Sequence, residues 1–182
     1  MNWRNSSSRY GSLSIGIHWL MLLVFIGVYA SINLRELYPK GSDLREALKT
    51  WHFMFGMLVF VLVWLRLAAR LSGPTPDILP APPSWQQLSA KLLHLVLYAL
   101  MIVMPLTGWL VLSASGKPIP FFGLQLPALI AENKDLAKQL KEIHELMGTT
   151  GYYLIGLHVV ASLYHHYMIC DNTLLRMLPE RK

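Results

Sequence analysis

Four long apolar stretches constrain this chain more than any other feature of its sequence. A helix needs about 20 mostly apolar residues to cross the hydrocarbon core of a bilayer. Backbone groups in lipid are satisfied only in helices or closed barrels, and these stretches are too long and too uniformly apolar for barrel strands. The sequence therefore predicts an all-α fold, an integral membrane four-helix bundle that forms one domain over residues 1–182. The predicted spans are approximately residues 13–34, 51–71, 88–113 and 143–170.

The composition also indicates a lipid environment. Hydrophobic residues make up 54% of the chain and charged residues only 14%, whereas a soluble domain carries about 25% charged residues. The net charge is +6, but the charges lie between the apolar stretches, so they fit membrane-edge anchoring and no nucleic-acid partner is expected. The single cysteine, Cys170, excludes an intrachain disulfide. Residues 1–12 are polar and lack a small-residue cleavage site, so no removable signal peptide is expected.

The connections between the stretches differ in character. Residues 35–50 form a short polar link, and residues 72–84 contain five prolines, which exclude a continuous helix. The longest connection, residues 114–142, begins with the apolar SGKPIPFFGLQLP, which is expected at the membrane interface. It ends in AENKDLAKQLKEI, which predicts a short amphipathic helix leading into the fourth span. Pro105 lies inside the third span, where it predicts a kink.

The basic residues do not decide the orientation in the membrane. An even number of spans places both termini on one side, and eight lysines and arginines fall on each side, so the positive-inside rule gives a tie. The termini side carries Arg4, Arg9, Arg66, Arg70, Lys91, Arg176, Arg181 and Lys182, and the far side carries Arg35, Lys40, Arg45, Lys49, Lys117, Lys134, Lys138 and Lys141.

Histidines inside the spans are the candidate functional residues. The chain has seven, and ionisable residues within a membrane are costly and usually functional, although a single one is also explained as a buried ring bonded to a carbonyl. His144 and His158 lie 14 residues apart on the fourth helix, within about 40° of one face and about 21 Å apart along the axis. They therefore lie near opposite edges of the hydrocarbon core. By depth, His18 pairs with His158 on the termini side, and His52 pairs with His144 on the far side.

Two histidine pairs at two depths suit two bis-histidine b haems better than one four-histidine metal centre, because the pairs are too far apart to share an ion. Imidazole is an established axial ligand of haem iron. A single pair is also compatible with zinc or copper, but no acidic or cysteine ligand lies nearby at matching depth. The chain lacks a C-x-x-C-H motif, so a haem held here is not thioether-linked.

Other residues near the histidines fit a planar cofactor. Gly56 and Gly148 follow His52 and His144 by four residues and permit close approach to the helix backbone, although small residues also help membrane helices to pack. Arg66 lies 14 residues after His52 on the same face, where it either pairs with a propionate of the termini-side haem or snorkels to the interface. Further glycine candidates are Gly27, Gly108, Gly151 and Gly156.

Two more histidines, His94 and His165, lie at the termini-side depth, and His165 shares a helix face with His158. Either is placed to donate a hydrogen bond to a quinone or to exchange a proton with it. His166 points elsewhere on its helix and is assigned to the interface. The pattern assigns no catalytic residue.

Four sequence motifs in fixed order resemble the bacterial cytochrome b561 family, and the likeness covers nearly the whole chain. The first span carries GIHW, and the second carries H-x3-G-x9-R-x3-R within WHFMFGMLVFVLVWLRLAAR. The third has LLHLVLYALMIVMPLTGWL followed by GKPIPFFGLQLP, and the fourth has IHELMGTTGYYLIGLHVVASLYHHY followed by DNTLLRMLP. Each motif alone is modest, but their order and spacing together are specific.

The resemblance implies a four-helix bundle in the bacterial inner membrane, with cytoplasmic termini and two b haems. By motif, the axial ligands of the haem irons are His18, His52, His144 and His158, the same set that depth selects. The resemblance also implies ubiquinone exchange near the cytoplasmic side, with His165 in that role. Some family members oxidise superoxide at the periplasmic face and reduce ubiquinone, and others are cytochrome subunits that link quinone to a dehydrogenase or hydrogenase. Gly16 stands where some relatives carry a serine, so the quinone site of this chain is expected to differ there.

The leading hypothesis is a stand-alone oxidoreductase that moves electrons from a periplasmic one-electron donor, such as superoxide, through both haems to ubiquinone. Far-side basic residues are candidates for steering a small anion, although a solvated loop with mixed charges explains them better. The residues concerned are Arg45, Lys49, Lys117 and Lys141.

Two rival hypotheses remain open at this point. The first is a cytochrome subunit of a larger complex, which requires a redox partner protein on one face. The second is a metal-ion transporter, which predicts histidines lining a pore. The paired depths and the lack of intramembrane carboxylates argue against transport.

Overall fold

Four long helices dominate the structure, a computed structural model that describes residues 3–179. They are α1 (Ser12–Leu34), α2 (Asp43–Leu71), α3 (Ser84–Ala114) and α4 (Lys134–Tyr164), and each is long and apolar enough to cross a membrane. The predicted helical fold with four spans is therefore confirmed. The sequence assignments that involve Arg181, Lys182 and the two ends of the 1–182 domain lie outside the described residues.

Two helices, α2 and α4, begin about two turns or more before the apolar stretches that predict them. Helix α2 begins at Asp43, so the second half of the predicted polar link at 35–50 is helical. Asp43 and Glu46 in its first turn are favourable next to the positive end of the helix dipole. Helix α4 begins at Lys134, and the predicted short amphipathic helix and the fourth span are one continuous helix. Pro105 is buried inside α3, and the helix continues past it from Ser84 to Ala114.

The surface of the helices is strongly apolar. Leu23, Val160 and Tyr153 are 65%, 63% and 76% exposed. A soluble monomer rarely leaves so much apolar surface in contact with water, whereas lipid solvates it. The exposed faces therefore match a membrane setting.

The described residues pack as two compact units. We call the first the terminal unit, because its described residues, 3–19, 63–100 and 149–179, include both ends of the described chain. The second, the mid-chain unit, contains residues 20–62 and 101–148. Every long helix contributes residues to both units.

In the terminal unit, the N-terminal residues are tied to the end of α2. The buried Asn5 donates from Nδ2 to the carbonyl of Ala69 at 3.3 Å, and its Oδ1 accepts from Gly11 N at 2.9 Å and Ser14 Oγ at 2.8 Å. A Cβ at Gly11 would lie 2.4 Å from the carbonyl oxygen of Trp3, so this turn requires glycine.

The C-terminal segment closes the same unit. Trp19 Nε1 donates to the carbonyl of Met177 at 2.7 Å, and the buried Arg176 donates to the carbonyl of Pro76 in the proline-rich linker. Asn172 Oδ1 accepts from Leu79 N at 2.9 Å in the same linker. These bonds fold residues 72–83 and 170–179 onto one another, although neither segment is a long helix.

In the mid-chain unit, the segment expected at the membrane interface forms a small hairpin. Strands β1 (Ile119–Phe121) and β2 (Leu124–Leu126) pair antiparallel, with Ile119 opposite Leu126. The turn residues Phe122 and Gly123 have φ of 44° and 87°, and two positive φ values are what a type I′ turn requires. Phe122 N donates to Met54 Sδ at 3.3 Å, which fastens the hairpin to α2.

Candidate functional site: two histidine pairs

The mid-chain unit brings His52 of α2 together with His144 of α4. Their ring centroids lie 6.2 Å apart, and the ring planes are inclined at 85°. Both side chains are half-buried. This is the first of the two pairs expected from depth, and we call it the mid-chain pair.

Both rings of the mid-chain pair have a hydrogen-bond partner at Nδ1. His52 Nδ1 lies 3.0 Å from the carbonyl oxygen of Val28, which can only accept, so this nitrogen carries the proton. His144 Nδ1 lies 3.1 Å from Thr107 Oγ1. In each ring, the other nitrogen, Nε2, is thereby left as the one to bind a metal.

Glycines make room around the mid-chain pair. A Cβ at Gly108 would lie 3.3 Å from His144 Cε1, closer than most Cβ contacts, so glycine lets the ring approach α3. A Cβ at Gly56, one turn after His52, would meet nothing within 4 Å. At Gly148, one turn after His144, it would meet only the Met104 methyl group at 3.5 Å. The space beside both histidines is therefore open to a planar group.

The terminal unit brings His18 of α1 together with His158 of α4, the terminal pair. Their ring centroids lie 6.3 Å apart, and the planes are inclined at 78°. His94 of α3 joins them, with its ring centroid 5.4 Å from that of His158. His94 is exposed, whereas His18 and His158 are half-buried.

Arg66 belongs to the terminal unit and interacts electrostatically with His18 and His158. Its Nε donates to the Tyr98 hydroxyl at 3.2 Å, and its guanidinium lies 5.9 Å from the Tyr98 ring centroid. Arg70, one turn later, donates instead to the Tyr10 hydroxyl at 3.4 Å. Of these two arginines, Arg66 is the one that interacts with both members of the terminal pair.

His165 lies at a π-helical turn, His165–Ile169, that follows α4. Its Nδ1 is 2.5 Å from Asp171 Oδ2, and Asp171 is fully buried at its side chain. Burial acts to raise the pKa of Asp171, but hydrogen bonds from His165 and Thr173 outweigh it and hold that pKa below its ordinary value. Sequence reasoning missed Asp171, although it opens the DNTLLRMLP motif; its pairing with His165 depends on the π turn.

The ring spacing of both pairs suits two imidazoles that share one metal ion. A metal binds an imidazole nitrogen at about 2 Å, and that nitrogen lies about 1 Å from the ring centre, so two axial rings have centroids about 6 Å apart. Within residues 3–179, no group of three or more histidine, cysteine or acidic side chains is arranged to hold a metal ion. The residues present fit the two axial positions of a haem iron and do not supply the four ligands of a structural zinc site.

The candidate steering residues are mostly engaged with acids. Arg45 is buried and contacts Glu36 at 3.0 Å, and Lys49 contacts Glu46 at 2.5 Å. Lys141 pairs with Glu145 at 3.0 Å, and Lys117 interacts electrostatically with Glu46. This arrangement favours the mixed-charge loop over an anion funnel. Gly16, the position at which the quinone site was expected to differ, is exposed, and a Cβ there would meet nothing within 4 Å.

Four helices long and apolar enough to span a membrane, with histidines of different helices held in pairs, fit the class of haem-binding membrane proteins. The sequence profile of the prokaryotic cytochrome b561 family matches residues 9–180, and the chain belongs to this family. It is a bacterial multi-pass membrane protein of a haem-binding, electron-transferring class.

Three relatives are similar to the chain over almost their whole length. Cytochrome b561 homolog 1 of Escherichia coli (strain K12) is 38% identical over 175 residues, which cover 96% of this chain and 99% of the relative. Probable superoxide oxidase CybB of Yersinia pestis is 40% identical over 174 residues, covering 96% and 98%. Cytochrome b561 homolog 2 of Escherichia coli (strain K12) is 30% identical over 186 residues, covering 98% and 95%.

Proposed function

We propose that this protein carries electrons across the bilayer through two b haems, one held by His52 and His144 and the other by His18 and His158. The observation that carries the proposal is the equal spacing of the two ring pairs, at 6.2 and 6.3 Å. Each bound haem would supply one-electron oxidation and reduction. Helix α4 would contribute one ligand to each site.

Arg66 is proposed to bind a propionate of the haem at the terminal pair. Tyr98 holds its guanidinium from one side, and an arginine is suited to bidentate contact with a carboxylate. The cation also favours the reduced state of a nearby iron, because reduction adds negative charge.

Ubiquinone is the proposed electron acceptor, at the terminal unit. His165, fixed through Nδ1 by the buried Asp171, keeps Nε2 available to a quinone oxygen, and the exposed His94 is the second candidate. The proposed donor is a small one-electron reductant on the opposite side of the membrane. Superoxide is the leading candidate, because a relative 40% identical to the chain is named a probable superoxide oxidase. The proposal also places the protein in the bacterial inner membrane, with both termini on the cytoplasmic side.

The first test measures haem per polypeptide and the reduced-minus-oxidised absorbance spectrum of the detergent-purified protein. Two b haems are expected in the unchanged chain, and about one in H52A or in H158A. H166A is the matched control, because His166 lies in the π-helical turn that follows α4 and belongs to neither pair. Equal haem contents in H52A and H166A would refute the ligand assignment, and a colourless protein expressed with ample haem would overturn the electron-transfer proposal.

Donor and acceptor need a second assay. Purified protein with two haems should be reduced by a superoxide source and reoxidised by a ubiquinone analogue. Co-purification of a stoichiometric dehydrogenase or hydrogenase, with no response to superoxide, would favour the alternative of a cytochrome subunit.

A further inference from the structure

Thr107 contacts His144 in a way that the haem assignment alone does not explain. It lies on α3, and its Oγ1 is both 2.8 Å from the carbonyl oxygen of Met104 and 3.1 Å from His144 Nδ1. A carbonyl oxygen can only accept, so the single hydroxyl proton of Thr107 is donated to Met104. The lone pairs of Oγ1 then face His144, and the proton between the two groups belongs to the ring.

We infer that Thr107 is a positioning residue, which holds His144 in the Nδ1-protonated tautomer and lowers the reduction potential of the haem at the mid-chain pair. The inference rests on the proposed ligation of that haem by His52 and His144. A ligand imidazole that donates its second N–H to an acceptor is oriented and becomes more basic. A more basic ligand stabilises the oxidised iron more than the reduced iron.

The neighbouring residues support this role. Gly108 follows Thr107, and its missing Cβ, which would lie 3.3 Å from His144 Cε1, is what lets the ring approach α3. His52 donates in the same way to the carbonyl of Val28 at 3.0 Å. Both rings of the mid-chain pair are therefore anchored. The backbone of Met104 also interacts with the ring of His144, so Thr107 is the side-chain part of that anchor and can be removed by mutation.

The terminal pair provides an internal reference. Among residues 3–179, no hydrogen bond is found to the ring of His18 or His158, and the cation of Arg66 interacts with both. In the mid-chain pair, the cation of Arg35 interacts with His52 and the acidic Glu145 with His144, so these two charges act on the site in opposite directions. The mid-chain haem is therefore expected to be the lower-potential one of the two. Electrons would then run downhill from the mid-chain pair to the terminal pair.

The test compares T107V, which keeps the shape and loses the hydroxyl, with T107S, which keeps the hydroxyl. T50V is the matched control, because Thr50 donates to the carbonyl of Glu46 at 3.1 Å within α2 and that bond involves no histidine ring. Haem per chain, the midpoint potentials of both haems and the low-spin ferric electron paramagnetic resonance spectrum are measured for each variant.

In T107V, the midpoint of one haem should rise, and the other should stay constant. One hydrogen bond corresponds to about a fivefold change in the oxidised-to-reduced equilibrium. At 59 mV per tenfold for one electron, this is about 40 mV. The resonance of the same haem should shift or broaden as its ring is freed, whereas T107S and T50V should match the unchanged protein. Loss of the haem at the mid-chain pair in T107V, but not in T107S, would also support the inference. It would show that the hydroxyl is needed to position His144 for binding.

Unchanged or equally shifted midpoints in T107V, with two haems still bound, would overturn the inference and leave the proposed function standing. An unchanged protein without haem would overturn both. If T107V does not fold, T107A against T107S gives the same comparison with the side chain shortened.

Discussion

The two histidine pairs have the same spacing between rings but different surroundings. In the mid-chain pair, both rings are hydrogen-bonded through Nδ1, one to a backbone carbonyl and one to Thr107. In the terminal pair, His18 and His158 are accompanied by a third histidine, His94, and by the cation of Arg66. The mid-chain rings interact with one cation, Arg35, and one acid, Glu145, whose charges oppose each other. The terminal rings interact with the cation of Arg66.

This difference teaches that equal ligands need not make equivalent redox sites. Acceptors at Nδ1 favour oxidised iron, whereas a nearby cation favours reduced iron, so the two surroundings act on the potential in opposite directions. His94, His165 and Asp171, which are able to move a proton, lie in the terminal unit. A quinone needs protons as well as electrons, which is consistent with our placing it there.

Removal of the Arg66 charge should give the largest change in this comparison. In R66L, the midpoint potential of the haem at the terminal pair should fall, because a cation that favours reduced iron is lost. The oxidised-to-reduced equilibrium should change about tenfold, which is the effect of a unit charge at about 12 Å with an effective dielectric constant near 20. R66K should recover most of the shift, and R70L should shift it less, because Arg70 interacts with His94 and not with the pair. A redox titration followed by absorbance measures this, and equal shifts in R66L and R70L would contradict the specific role of Arg66.

Neutralisation of Asp171 should give a smaller, pH-dependent change in stability. The folded protein depresses the pKa of Asp171 below its ordinary value of 3.8, so the carboxylate stabilises the fold fully above that value. This contribution is lost as the pH falls through the folded pKa. In D171N, the Tm in detergent should therefore be lower at pH 6, by about 2–4 °C for each kcal/mol lost.

The difference in Tm between the unchanged protein and D171N should shrink as the pH falls below 3.8. The buried Asn5, which is not ionisable, provides a control in N5A, whose deficit in Tm should not vary in this way. A D171N deficit that stayed constant from pH 6 to about pH 3 would show that the charge of Asp171 does not matter.

Introduction of a serine at Gly16 should give the smallest change. Because a Cβ at this position would meet nothing within 4 Å, G16S should leave haem content and Tm unchanged. Its only expected effect is on the KM for a ubiquinone analogue, since Gly16 belongs to the terminal unit and precedes His18 by two residues. G108A is the contrasting variant, because its Cβ would press on His144. A loss of haem in G16S as large as in G108A would refute the comparison.

The four spans were predictable because each apolar stretch has about the 20 residues or more that a helix needs to cross a bilayer. The starts of α2 and α4 were missed because their polar lead-in residues lie beyond the apolar signal. The hairpin was missed because its strands have three residues each and contain Pro120, which is unfavourable in a strand. Its turn, Phe122–Gly123, also lacks the usual asparagine or aspartate.

The pairing of the histidines was predictable because helical rise converts sequence spacing into depth. The structure brings together the same two pairs, and their role as haem ligands stays a prediction. Thr107, the carbonyl of Val28 and Asp171 were not predicted, because such contacts depend on which side chains meet between different segments. A histidine in an apolar stretch reveals its depth but not what its second nitrogen meets.

The closure of the terminal unit has a consequence for biogenesis. Arg9 donates to the carbonyl of Leu178 and Trp19 to that of Met177, partners separated by 169 and 158 residues along the chain. Almost the entire chain must therefore be synthesised and emerge from the ribosome before these bonds can form. The mid-chain unit ends at Gly148 and has no such requirement. Its half of the protein can mature first during synthesis, and the terminal half is completed last.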